Sequence, residues 1–214
     1  MNKIYEDNPA IKKQEMDQYI TIGDNAVAEF KDRGSKFLAY AFPISNVNDF
    51  KSQLQFVKKE HPKATHYCFA YRIGTDGSQF RTSDAGEPSG TAGRPILGQI
   101  DSKNLTNILI IVVRYFGGTL LGVPGLIKAY KTVSSLVLQC TPAIRRDVQV
   151  HYQLQFNYTE MDEVMHVLKQ YNCSVLKRDM QLFCKMETGI PVIRITEVID
   201  ALKNIKNMEL HNLN

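Results

Sequence analysis

Residues Asn107 to Tyr130 read NILIIVVRYFGGTLLGVPGLIKAY. Ile108 to Val113 is an unbroken apolar run rich in β-branched residues, the pattern of a strand covered on both faces. Arg114 arrives where that strand should end. Gly117 and Gly118 predict a sharp turn that side chains would obstruct. An amphipathic helix starts near Gly122 to Gly125, with Pro124 suited to its first turn, where a missing N–H costs nothing. Leu126, Tyr130, Val133 and Val137 recur at helical spacing and pack this helix on the sheet. Strand, arginine, glycine loop and helix N-terminus together suit an anion. The same glycines also suit a connection that is merely tight.

Working outward, short strands are predicted at Tyr19–Ile22, Ala26–Phe30 and Ser35–Ile44. A helix capped by Asn46 or Asn48 carries Phe50, Leu54 and Val57 on one face and ends near His61-Pro62. Thr65–Ile73 and Gln79–Thr82 form a hairpin around Thr75-Asp76-Gly77-Ser78. The second unusual stretch is Asp84–Leu97, DAGEPSGTAGRPIL. It is a long loop that gives way to a short helix from Thr91 or Ala92 to Ile100, and such loops usually serve function.

A polar, proline-bearing junction, Thr141 to Asp147, separates the halves, with the domain boundary placed near Ala143 to Arg146. Beyond it, Asp147–Tyr158 alternates as a strand and Thr159 caps a helix. Strands Cys173–Arg178 and Gln181–Glu187 meet at Asp179-Met180, Pro191 opens a helix, and Met208–Leu213 closes. This β-α-β-β-α-β order is that of a ferredoxin-like domain. The boundaries are therefore 1–18 as a mobile lead-in, 19–143 and 144–214, and the fold class is α+β.

The chain of 214 residues is mildly basic, with a formal charge of +4 and a pI near 8.8. This permits nucleic-acid contact without requiring it. No signal-like or membrane-spanning apolar run is present, so a cytoplasmic protein without membrane association is expected. Cys68, Cys140, Cys173 and Cys184 are scattered without a Cys-x-x-Cys pair, and the histidines lack ligand spacing. No metal and no cofactor is expected.

Known chemical signatures fail. Gly117 and Gly122 have phosphate-loop spacing, but Val123 stands where lysine is required, and no G-x-G-x-x-G or G-x-S-x-G occurs. Asp84 and Glu87 would serve as an acid/base or magnesium pair, or else satisfy loop backbone groups. His66 is either a general base or a strand histidine that holds a loop. Lys36, Arg72, Arg81, Arg94, Arg114 and Lys128 are interleaved with aromatic residues, a combination suited to unpaired RNA. Alternatively the aromatics are core and Arg114 pairs with Asp84 or Glu87.

DAGEPSGTAGRPIL and VVRYFGGTLLGVPGLIKAY, with ATHYCFAY and Ser35–Phe37, resemble the IMPACT family and its bacterial, YigZ-like branch. The resemblance spans about Tyr19 to Cys140. It implies an N-terminal α/β sandwich like domain two of a ribosomal small-subunit protein and domain four of elongation factor G. The second half resembles the ferredoxin-like fifth domain of that factor. Eukaryotic relatives dampen the starvation response of translation through an additional N-terminal domain, so their partner does not transfer.

The resemblance marks His66, Asp84, Gly86, Glu87, Ser89, Gly90, Thr91, Ala92, Gly93, Pro95, Arg114, Tyr115, Gly117, Gly118, Gly122 and Lys128 as a family surface. In most members two glycines precede the helix leucine; here Pro124-Gly125 does, which weakens a phosphate cradle there. The expected function is a non-catalytic, translation-associated regulator binding RNA or the ribosome through Arg94, Arg114, Gly117, Gly118, Lys128 and Lys36. The alternatives are a protein-interaction adaptor docking through the 84–97 loop and an enzyme acting on a phosphate substrate, with no catalytic residue assigned.

Overall fold

The computed structural model describes residues 17–180 and 183–213. The lead-in expected before Tyr19 lies, up to residue 16, outside the described residues. The chain is a mixed α/β protein that divides into two compact units, Tyr19–Arg146 and the segment from Asp147 onward together with Asp17 and Gln18.

The first unit is built on a five-stranded sheet of order β2-β3-β6-β4-β5. Its strands are β2 (Ala26–Asp32), β3 (Ser35–Pro43), β4 (His66–Ile73), β5 (Gln79–Ser83) and β6 (Ile108–Tyr115). All neighbours are antiparallel. The apolar run Ile108–Val113 occupies the central strand because only there are both faces covered. Ile108, Ile110 and Val112 enter one core with Phe37, Ala39, Tyr130 and Val133. Leu109, Ile111 and Val113 enter the other with Phe50, Val57 and Phe69.

Helix α1 (Val47–Glu60) covers the second face; α2 (Gly93–Asp101) and α3 (Gly122–Val137) cover the first. The Asn46 side chain accepts from the N–H groups of Asn48 and Asp49 and so caps α1. Strand β6 runs two residues beyond its apolar run. Arg114 is thus still in the ladder, opposite Phe37 on one side and His66 on the other.

The unit begins and ends in a two-stranded sheet of β1 (Gln18–Ile22) and β7 (Ala143–Asp147). The expected linker at 143–146 is therefore largely strand. Its sequence, AIRRD, is too polar and short to signal one, and pairing to β1 supplies the order.

The second unit holds β8 (Gln149–Phe156), α4 (Met161–Gln170), β9 (Ser174–Met180), β10 (Cys184–Pro191), α5 (Ile195–Lys203) and β11 (Glu209–Asn212). Its sheet order is β11-β8-β10-β9, with antiparallel neighbours. Leu154, Phe156, Val164, Leu168, Met186, Val198 and Leu202 form its core.

Three local expectations shift. Asp179-Met180 is strand rather than turn, because β9 continues through Met180 in register with Cys184, and the expected strand start at Gln181 lies outside the described residues. Pro191 ends β10 opposite Gln149, and a 3₁₀ turn intervenes before α5. Thr159 sits inside another 3₁₀ turn, its hydroxyl on Glu160 rather than on a helix N–H.

Candidate functional site

The loop Asp84–Ala92 is held by the carboxylate of Asp84. Its Oδ1 accepts from the N–H groups of Ala92 and Gly93, both at 2.9 Å, and its Oδ2 accepts from Gly90 N at 2.9 Å. Ala92 begins α2 with no capping side chain of its own, so Asp84 serves as its cap from eight residues away. Burial opposes the charged form of Asp84, but the three N–H groups and the nearby Arg94 outweigh it and hold its pKa below the ordinary carboxylate value.

Ala85 and Gly86 follow with positive φ of 45° and 89°. A Cβ at Gly86 would lie 3.3 Å from His66 Nδ1, so this turn needs glycine for both conformation and space. The Ala85 carbonyl accepts from His66 Nδ1 at 2.9 Å, which leaves Nε2 turned toward Glu87 at 4.0 Å.

Glu87 then points inward. Its side chain is 3% exposed, and Oε1 accepts from Arg114 Nη1 and from the Tyr130 hydroxyl, both at 2.7 Å. The Arg114 side chain, 6% exposed, also reaches Ser35 Oγ at 3.4 Å and lies over the rings of Phe37 and Phe116. Ser35 Oγ accepts from Gly117 N at 3.3 Å. A Cβ on Gly117 would sit 1.8 Å from the Gly34 carbonyl carbon, so the second glycine loop lies directly on the β2–β3 turn. Arg33 completes the lock by donating Nη2 to the Leu121 carbonyl at 3.1 Å.

A line of polar contacts therefore runs from the first loop through Glu87, Arg114 and Ser35 to the second. Tyr130 joins it to Cys68, which donates to the Asp84 carbonyl at 3.0 Å or to the Tyr130 oxygen at 3.3 Å. Burial pushes the Cys68 thiol up to about 12, with Glu87 and Asp84 adding to the shift, so it stays protonated at neutral pH. Burial likewise raises Tyr130 far above the ordinary phenol value, helped by Cys68 and Glu87.

This arrangement decides where each expected site residue stands. The anion that Arg114 binds is Glu87; its guanidinium faces inward, at the cost of an Nε–H with no partner. Arg94 is exposed on the first turn of α2 and Lys128 on the second turn of α3, and Gly118 is exposed in the loop. Lys36 is not with them. It alternates with Phe37, faces the α1 side of the sheet, and pairs with Glu29 at 2.8 Å. Tyr115 faces the same side, where its hydroxyl meets His61 Nδ1 at 3.0 Å.

In the first loop, Pro88 and Ser89 are exposed, while Thr91 turns back to the Pro88 carbonyl at 2.6 Å. Sequence reasoning took Tyr130 only as core and Ser35 only as part of a matching motif, and did not single out Arg33. Tyr130 sits at core spacing on its helix, and nothing local says that its hydroxyl meets a loop forty-three residues earlier. Among the described residues, no three His, Cys, Asp or Glu side chains form a metal-binding group, and no helix is long and apolar enough to cross a membrane.

The Impact N-terminal domain matches residues 33–138, the stretch that contains both glycine-rich loops and the buried Arg114–Glu87–Tyr130 cluster. The chain belongs to the IMPACT family. It is 33% identical over 181 residues to IMPACT family member YigZ of Escherichia coli (strain K12), covering 84% of this chain and 89% of that one. It is 32% identical over 199 residues to IMPACT family member YvyE of Bacillus subtilis (strain 168), covering 90% and 92%. A crystal structure described only as that of a hypothetical protein superimposes with a TM-score of 0.71 at 29% identity, covering 92% of this chain and 98% of that one.

Proposed function

We propose that the protein is a non-catalytic, translation-associated regulatory factor that binds RNA or the ribosome through its N-terminal unit. The observation that carries the non-catalytic part is the fate of the reactive groups. Glu87 is consumed by Arg114 and Tyr130, Asp84 by three N–H groups, and the Cys68 thiol is held protonated. Charge supports the polyanion. Between Tyr19 and Arg146 sixteen lysines and arginines face nine aspartates and glutamates, whereas from Asp147 onward seven face nine.

The finer fold reading belongs with this proposal. The order β11-β8-β10-β9 supports a ferredoxin-like second unit, because the first and third strands of a βαββαβ chain lie centrally there. Taken with the first unit's sheet, it supports a succession of domain types like domains four and five of elongation factor G. The link to translation rests on family membership, a weaker warrant than a site.

Arg94 and Lys128, exposed near helix N-termini, are the cations that would meet phosphate. Cosedimentation of the full chain with purified ribosomes tests this. The wild type should travel with them at low salt and be released as salt rises, and Arg94→Glu/Lys128→Glu should stay at the top. A wild-type chain that fails to cosediment at low salt, and binds no RNA, sinks the proposal.

A further inference from the structure

The loop and first turns of α3 are unusual for what they leave uncovered. Phe116, Leu120, Val123 and Ile127 are 39 to 81% exposed, and they make up four of the seven exposed large hydrophobic residues of the N-terminal unit. Val123 and Ile127 are four apart and share one side of the start of α3, and Leu120 lies in the loop just before it. The loop that presents them is not slack: Arg33 holds the Leu121 carbonyl, Ser35 holds Gly117 N, and Arg114 supports the Phe116 ring. A fixed apolar stripe in water marks an interaction surface.

The loop and helix that carry it hold one sign of charge. From Gly117 to Cys140 the sequence contains Lys128 and Lys131 and no aspartate or glutamate. Lys128 and Lys131 flank the stripe on α3, and Arg33 lies over Gly125 in its first turn. Asp32 lies beside Arg33 at 3.6 Å, and Glu87, behind Phe116, is taken up by Arg114.

We infer that this stripe docks an acidic, amphipathic segment of a partner protein. A groove-bound helix of that kind lays leucine- or phenylalanine-type anchors on Leu120, Val123 and Ile127 and turns its carboxylates to Lys128, Lys131 and Arg33. Charge alone would also suit RNA. However, three of the four exposed side chains are aliphatic, and unpaired bases are held by stacking on aromatic rings. The inference goes beyond ribosome or RNA binding and stands or falls separately from it.

The test is selection of random displayed peptides of about 16 residues, roughly four helical turns, on the full chain. Peptides that also bind Leu120→Ser/Ile127→Ser are removed; both positions are exposed, and the variant's melt confirms that it folds. The survivors should be net negative, with large apolar residues at helical spacing. Made synthetically, they should bind the wild type at least about tenfold more tightly than the variant and lose affinity with Lys131→Glu. Survivors that ignore the variant or are net positive overturn the inference. So does a short single-stranded RNA whose affinity falls in the same variant, or self-association of the wild type that the variant abolishes. Cosedimentation of Leu120→Ser/Ile127→Ser with ribosomes, which leaves Arg94 and Lys128 in place, is read independently, so failure of one reading is distinguishable from failure of the other.

Discussion

Arg114→Met probes the lock between the two loops. The variant keeps the stem over Phe37 but strands Glu87 with a single donor, the Tyr130 hydroxyl. Removing one partner of a buried pair costs about 3–5 kcal/mol. Against this, the unpartnered Nε–H disappears with the guanidinium, a relief on the order of 1 kcal/mol. The net loss should be about 3 kcal/mol, which for a unit of this size lowers Tm by roughly 10 °C. Glu87→Gln should cost a comparable amount because it leaves the arginine charge buried. The double variant Arg114→Met/Glu87→Leu removes both charges together and should recover to within about 1 kcal/mol of the wild type. Urea melts of the three variants measure this. Single variants losing under about 1 kcal/mol, or a double variant losing the sum of the two, would refute the reasoning. Unchanged stability with lost RNA affinity would restore Arg114 to the surface role it lacks in this geometry.

Gly117→Ala should be strongly destabilising, because its Cβ meets the Gly34 backbone, whereas Gly98→Ala in α2, with nothing within 4 Å, should stabilise by up to about 1 kcal/mol; thermal melts of the pair check the contrast. Because the Asp84 pKa is lowered in the folded state, its contribution is complete above the unfolded value near about 4 and is lost as pH falls through the folded one. The stability gap between wild type and Asp84→Asn should therefore shrink in acid below about pH 4, and a gap that widens there would contradict the cap. With iodoacetamide at mildly alkaline pH, exposed Cys140 should be modified well before Cys68, which is buried with its pKa near 12; peptide mass mapping reads the order, and equal rates would mean that the cluster opens readily.

The sheet was legible because its signals are local. The run Ile108–Val113 and the alternation in β3 and β8 each carry their own periodicity, and strand ends fall within a residue or two of expectation where a turn residue marks them. The site was legible only as a set of candidates. Arg114 offered two destinations, and the choice depended on Glu87 reaching inward across twenty-seven residues, which no spacing rule encodes. Tyr130 looked like core and is core, but with a hydroxyl that has work to do. Lys36 was grouped with the other cations by residue type, although strand parity places it on the opposite face. The polar strand β7 escaped notice because its order comes from a partner more than a hundred residues away.

That partner gives β7 a further meaning. β1 leads into the N-terminal unit and β7 leads out, and they lie in one small sheet, tied by Gly23 N on the Pro142 carbonyl and by Thr141 Oγ on the Asp24 carbonyl. Paired strands run about 5 Å apart, so the unit's two chain ends are adjacent. A module with adjacent ends is a cassette. It can be spliced into an exposed loop of another polypeptide without stretching host or guest, and its native termini can be joined and new ones opened elsewhere. The same doorway lets evolution move this unit between chains of different length while its sheet and its buttoned loops travel intact.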